Sequence, residues 1–398
     1  MTDFSKTRQM FDIPEGMVYL NGNSLGPMPK KAPEAINTFL MDEWRTELVK
    51  GWNTKNWFIK SNLLGDRIGS LMGAANGTTV VGDSLSIKVF QAVAAGLAMA
   101  PKRRVILSDN GNFPTDLYMV EGLINLRDAG YVLRTPNPKD VFDQITDEVA
   151  VVMVTEVDYR NSRKHDMKSI IAKAHSVGAT VVWDMAHSIG ALPIDVTDTN
   201  TDFAVGCTYK YLNGGPGSPA FIYVAPRLLN TVEPALSGWF AHEAPFAFDL
   251  NFRPTPSKID RMRIGTQSMA AFTLLETALD IWDEVNLDDV RSKSIELSEF
   301  FISEVESKCH GLTLVSPSDP NQRGSHVAFQ FENGYECMQA LIAQGVIGDF
   351  RAPDIMRFGI TPLFINLDDI EKSVTILSEI LTNKIWKKPE FQKRSLVT

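Results

Sequence analysis

The stretch AVVMVTEV, Ala150–Val157, is apolar at every position up to Thr155. A strand with one wet face alternates between apolar and polar residues. A strand without alternation is covered on both faces, as in a parallel sheet flanked by helices. A helix is expected next, from Asp166 to Val177, followed by two further apolar strands, Thr180–Trp183 and Phe203–Cys207. From about Gly82 to Val224, strands and helical stretches alternate, which is the rhythm of βαβ units and a mostly parallel sheet. Ligands of such sheets lie beyond the carboxyl ends of the strands, and Thr155, Asp184 and Lys210 fall there.

A lysine at a strand end is badly placed for a solvated charge. The Gly/Pro-rich loop Asn213–Pro219 then carries the chain away from it. A desolvated amine is driven toward its neutral, nucleophilic form and can hold an aldehyde as a Schiff base. Asp184, with His187 three positions on, would keep a pyridine nitrogen protonated and make the ring an electron sink. Together these residues read as a pyridoxal 5'-phosphate site. The competing reading makes Lys210 a surface lysine, Asp184 a helix cap and His187 a hydrogen-bonded core residue.

Residues 82–100, GDSLSIKVFQAVAAGLAMA, read as a helix whose first turn carries Ser84 and Ser86. These hydroxyls and the free N–H groups either hold a phosphate or simply cap the helix. Strand Arg104–Asp109 leads to Phe113 at a loop crest and to Pro114, which opens another helix. Phe113 lies either on a flat ring or in the core. Upstream, Val18–Pro29 enters as an extended arm with a tight Gly22/Gly26 corner, and Ala32–Leu48 has helical periodicity. Trp52 and Trp57 fall in an expected loop; each is either core or a stacking platform, and Trp52 is the candidate for substrate stacking. The long aromatic loop Leu236–Ser257 is of the kind that covers sites or interfaces. Helices are expected over Met269–Trp282 and Asp288–Lys308. Farther on come a strand, Val327–Phe331, helices Tyr335–Gln344 and Leu367–Leu381, and a polar, loosely held tail, Lys384–Thr398.

With 398 residues, 44% hydrophobic and 22% charged, the chain can bury a large core. A net charge of −9 argues against nucleic acid or an anionic membrane as partner. Cys207, Cys309 and Cys337 are widely spaced, which implies a reducing compartment and no structural metal. Residues 1–16 lack the pattern of a targeting peptide, and the longest apolar run, Phe90–Met99, is too short for a bilayer. A soluble, cytoplasmic protein is expected.

Seven segments, in order, carry a family resemblance: LNGNSLGPMP, GNFPTDLYM, TEVDYRNSRKHDM, WDMAHSIGALP, DFAVGCTYKYLNGGPGSPAFIYV, LSGWFAH and GDFRAPDIMRFGITPLF. The chain resembles the kynureninase family of fold-type I pyridoxal phosphate enzymes, in the class V aminotransferase superfamily. The resemblance implies an α/β fold-type I architecture: an arm and helix over 1–55, a large cofactor-binding domain over 56–280, and a small C-terminal α/β domain over 281–398. It makes Lys210 the Schiff-base lysine and Asp184 the partner of the pyridine nitrogen. Leu85, Ser86, Phe113, Pro114, Thr115, Asp116, Thr155, His187 and Tyr209 would surround the ring and phosphate. Trp239 and Thr266 would reach the phosphate from the other subunit of a homodimer with shared sites. Arg357 would bind the substrate carboxylate, and no metal is implied.

The implied reaction is hydrolytic Cβ–Cγ cleavage of L-kynurenine, and of its 3-hydroxy derivative, to anthranilate or 3-hydroxyanthranilate and L-alanine. That is a step of tryptophan catabolism on the kynurenine route toward NAD. Lys210 would serve as tether and as base, and Tyr209 would hold the phosphate and pass a proton. Alternatives on the same fold are an aminotransferase or a cysteine desulfurase. A non-catalytic binding protein would have lost Lys210 or Asp184.

Overall fold

A computed structural model of the chain describes residues 1–256 and 258–394. The seven-stranded sheet at its centre is built from Thr79–Val81 (β1), Val105–Leu107 (β2), Val132–Arg134 (β3), Val149–Thr155 (β4), Thr180–Asp184 (β5), Phe203–Gly206 (β6) and Phe221–Val224 (β7). Their order across the sheet is β1-β7-β6-β5-β4-β2-β3. Only β7 runs against its neighbours. Every residue of β4 is buried, as its unbroken apolar run requires. Helices Leu85–Met99, Pro114–Arg127 and Met167–Ser176 connect the strands.

The second sheet is wholly antiparallel: Thr313–Leu314 (β8), His326–Gln330 (β9), Asp349–Arg351 (β10) and Ile355–Gly359 (β11), in the order β10-β11-β9-β8. Helices Leu287–Lys308 and Leu367–Thr382 are capped by Asn286 and Asn366 and pack against each other. The N-terminal arm joins this part of the molecule, because Val18 and Tyr19 pair in parallel with Val346 and Ile347. No helix among the described residues is long and apolar enough to cross a membrane.

The segment expected as one helix over Ala32–Leu48 is broken. It is α-helical over Ala32–Thr38, widens to a π-turn over Phe39–Trp44, and ends where Leu48 takes a φ of 50°. Phe39 turns inward while Leu40, Met41, Trp44 and Leu48 stay exposed, so the wider turn takes one apolar set off the buried face. The expected loop around Trp52 begins as a short helix, Gly51–Thr54, and Trp57 is buried with its indole N–H on Glu43. The tail is not loose over Lys384–Arg394: Trp386 packs edge-on against Phe331, and Arg394 lies over Tyr335. Residues 395–398 of that tail, and Ser257 at the end of the aromatic loop, lie outside the described residues.

Candidate active site

Parallel register brings the strand ends together: Thr155 stands opposite Asp184, and Asp184 opposite Val205, five residues before Lys210. The turn after β6 is closed by Asn213 N–H donating to the Lys210 carbonyl. The N-terminal arm locks it, since Gly26 N–H donates to the Tyr209 carbonyl at 2.8 Å. A Cβ at Gly26 would meet the Asn213 amide and lie 2.5 Å from the Lys210 carbonyl, so at Gly26 the expected corner is a close approach of two backbones, while at Gly22 it makes room for the Thr361 and Phe364 side chains.

Lys210 Nζ lies 3.3 Å from His187 Nε2. It also sits about equally far from the rings of Tyr209, at 5.8 Å, and Phe113, at 6.0 Å. Among the described residues it makes no salt bridge. Burial, with the nearby Lys210 charge, holds His187 well below the ordinary imidazole range, so its ring is neutral.

Beneath the lysine two buried carboxyls face each other. Burial and the charge of Asp184 push Asp116 well above the carboxylate range. Asp184 is raised by burial but held back by Lys210, by the Ala186 N–H at 2.8 Å and by the Thr155 hydroxyl at 3.3 Å. Asp116 is raised the further of the two, and Asp184, faced by the lysine, the N–H and the hydroxyl, is the member of the pair better placed to carry negative charge. Asp116 Oδ2 and His187 Nδ1 are buried without a hydrogen-bond partner among the described residues.

Leu85 and Ser86 line a cavity of ≈360 Å³ together with Asp83, Ser84, Tyr209, Ser218 and Gln267. Ser84 occupies the N-cap position of its helix, yet its side chain makes no capping bond, so the hydroxyl is free for a ligand. Phe113 stays 39% exposed and meets Tyr159 edge-on at 5.2 Å, so it is not a core residue. Pro114 and Thr115 open the helix that carries Asp116.

The other sequence candidates lie differently. Arg357 is only 1% exposed, and its donors are already engaged: Nε and Nη2 on Asp349, Nη2 also on Ser24, Nη1 on the Tyr159 carbonyl. Trp52 stacks edge-on against Trp57 and Phe240, in an aromatic group with Phe58 and Phe246. Trp239, 38% exposed, joins that group through Phe240 and Phe246, and the exposed Thr266 lies on the adjacent turn. Gly238 is pressed against the Ile264 backbone, which fixes these two segments side by side.

Sequence reasoning missed several groups. Asn112 accepts from the Thr155 hydroxyl and from Phe113 N–H, tying two strand ends together. Gln267 closes a two-bond ring with Asp83 at the cup, 2.9 Å each way. Lys88 is buried under the cup on Asp83, Gln91 and the Met262 carbonyl. A polar helix position in an apolar run was the one signal available for Lys88. Among the described residues no cluster of His, Cys, Asp or Glu is arranged to hold a metal.

The site fits pyridoxal phosphate on its own geometry: an uncapped serine cup, a buried carboxylate, and a lysine beside a neutral imidazole. Residues 290–377 match the kynureninase C-terminal domain family. The chain is 46% identical to the kynureninase of Burkholderia pseudomallei strain 1106a, over 98% of this chain and 95% of that one. In fold it is similar to a cysteine desulfurase of Thermococcus onnurineus, with a TM-score of 0.81, 17% identity, and 95% and 98% of the two chains covered. It is also similar to a mutant of C-DES with glycine covalently linked to the PLP cofactor, with a TM-score of 0.79, 16% identity, and 94% and 99% covered.

Proposed function

The chain belongs to the kynureninase family, and from that premise we propose that it hydrolyses the Cβ–Cγ bond of L-kynurenine, and of 3-hydroxykynurenine, to release the anthranilate and L-alanine. The observation that carries the reading is Lys210 at 3.3 Å from a neutral His187, above the Asp116–Asp184 pair. When bound, pyridoxal phosphate supplies an aldehyde for the substrate amine and a ring that withdraws electrons from the reacting carbons.

Lys210 would tether the group and would serve as the base at the substrate Cα. Asp184 would hold a proton at the ring nitrogen, while Ser84, Ser86 and Tyr209 would hold the phosphate. Proximity to Cys207, together with burial, pushes the Tyr209 phenol well up, so it keeps its proton and can offer its O–H as a hydrogen-bond donor. Arg357 binds the substrate carboxylate, with the Tyr159 carbonyl giving way at Nη1.

The desulfurase alternative needs a reactive, accessible thiol. Cys207, Cys309 and Cys337 are all buried, and burial raises each thiol, Cys309 to about 11. The exposure of Trp239, Thr266, Phe246, Phe248 and Leu250 supports a homodimer in which this loop reaches the partner's cup. The test is anthranilate fluorescence from kynurenine without a keto acid; activity only with a keto acid would make the protein a transaminase.

A further inference from the structure

The antiparallel register of β9, β10 and β11 sets His326 opposite Gly359, Ala328 opposite Arg357, and Arg357 opposite Asp349. Directly opposed residues share a face, so His326, Arg357, Gly359 and Asp349 look the same way. That face meets the lysine. The His326 and His187 rings stand 5.7 Å apart, tilted by 50°. Gly359 leaves room that another residue uses: a Cβ there would strike the Asn23 carboxamide, so Asn23 fills the space over the residue opposite His326.

His326 is 0% exposed, and neither of its ring nitrogens has a partner among the described residues. Asn23 is equally buried, and its Nδ2 and Oδ1 are also unpartnered. The Nδ1 of His187 is a third such atom, on the ring whose Nε2 faces Lys210. Buried polar atoms gathered without partners are met by a bridging water.

When Lys210 donates toward His187, as its ammonium form must, Nε2 is the acceptor. The imidazole proton must then sit on Nδ1 and find an acceptor on the side of His326. We propose that His326, aided by Asn23, is a positioning residue that receives the Nδ1–H of His187 through one bridging water, fixing the tautomer whose Nε2 lone pair faces Lys210. Burial, together with the positive charges of Lys210, Arg351 and Arg357 and against the opposing pull of Asp349 on His326, keeps both rings neutral. Lys210 is thereby held with an N–H toward His187 and its reactive side turned away. The inference rests on Lys210 as the reactive lysine of the proposed function.

Nitrogen NMR of histidine-labelled, cofactor-free protein reads the tautomer directly, with His187→Gln used only to assign the resonance. The wild type should show His187 protonated at Nδ1, and an Nε2–H tautomer overturns the proposal without any variant. In folded His326→Leu the His187 signal should shift to a mixture, and kcat of the loaded enzyme should fall by roughly five- to tenfold, the worth of one hydrogen bond. His326→Gln, which keeps a donor and an acceptor, should retain the wild-type signal and recover most of that loss. An unchanged His187 resonance in His326→Leu also overturns it. Borohydride labelling of a lysine other than Lys210 would sink the site assignment instead, and leaves the tautomer measurement unaffected.

Discussion

The strand-end cluster around Lys210 and the aromatic loop around Trp239 are built on opposite terms. Asp116, Asp184 and His187 are buried, with Asp116 and His187 held toward their neutral forms and Asp184 facing Lys210. Trp239, Phe246, Phe248 and Leu250 stand in solvent, Leu250 completely. The first region meets its own polar groups within one chain; the second exposes apolar surface that a single chain leaves uncovered. Substitutions in the first should therefore act on rate within each subunit, and those in the second on cofactor retention through assembly.

The largest effect is expected from Lys210→Ala, which removes tether and base together. Turnover should fall by about 10³-fold or more while the protein stays folded. Near-normal steady-state rates would move the chemistry elsewhere. Asp184→Asn should keep some cofactor but lose about 10²-fold in kcat, because a neutral amide does not hold the ring proton. Equal rates in the two proteins would reduce Asp184 to a structural carboxylate.

Arg357→Lys probes the border between the sheets. A lysine keeps the charge but loses the fork, so KM should rise by about tenfold or more with cofactor affinity little changed. An unaltered KM would shift the carboxylate to the neighbouring Arg351, which shares Asp349 and Ser24 with Arg357.

A smaller effect concerns stability. His187 and His326 are held neutral by burial, below the ordinary value. A depressed folded pKa gives stability that is complete above the unfolded value of about 6.5 and lost as pH falls below it. Tm should thus drop between pH 7 and 5, and His326→Leu should flatten the drop. A Tm indifferent to pH in that window would mean that the two rings charge freely.

The strand-end cluster was legible because continuous apolar runs announce doubly covered strands, and such strands deliver their next residues to one edge. Thr155, Asp184 and Lys210 follow from that rule alone. The surroundings of Arg357 were not legible, since Asp349, Ser24 and the Tyr159 carbonyl come from three distant segments that meet only when the arm crosses β11. His326 reads locally as any histidine in an apolar strand; only the glycine opposite it and the arm laid over that glycine set it apart. The π-turn at Phe39–Trp44 kept helical spacing in sequence, so periodicity could not reveal the extra residue in the turn. Trp386 anchors a tail whose composition is polar, through one half-buried ring set against Phe331.

The smallest effect, and the one that decides how the two regions are related, comes from the loop. If Trp239 and Thr266 serve the partner's cup, a Lys210→Ala chain and a Trp239→Ala/Thr266→Ala chain are each impaired for different reasons. Mixing them creates dimers in which one site combines an intact Lys210 with an intact Trp239 and Thr266 from the other chain. Activity should then rise above that of either parent, to at most about a quarter of wild type, since random exchange makes half the dimers mixed and each has one complete site. Gln267, next to Thr266, is bonded to Asp83 of its own chain, and that contact is the reason to doubt a crossed arrangement. If the loop closes over its own subunit, every site in a mixed dimer lacks either the lysine or the loop residues, and mixing recovers nothing. No recovery after confirmed subunit exchange would join the two regions into one self-contained site and erase the contrast between them.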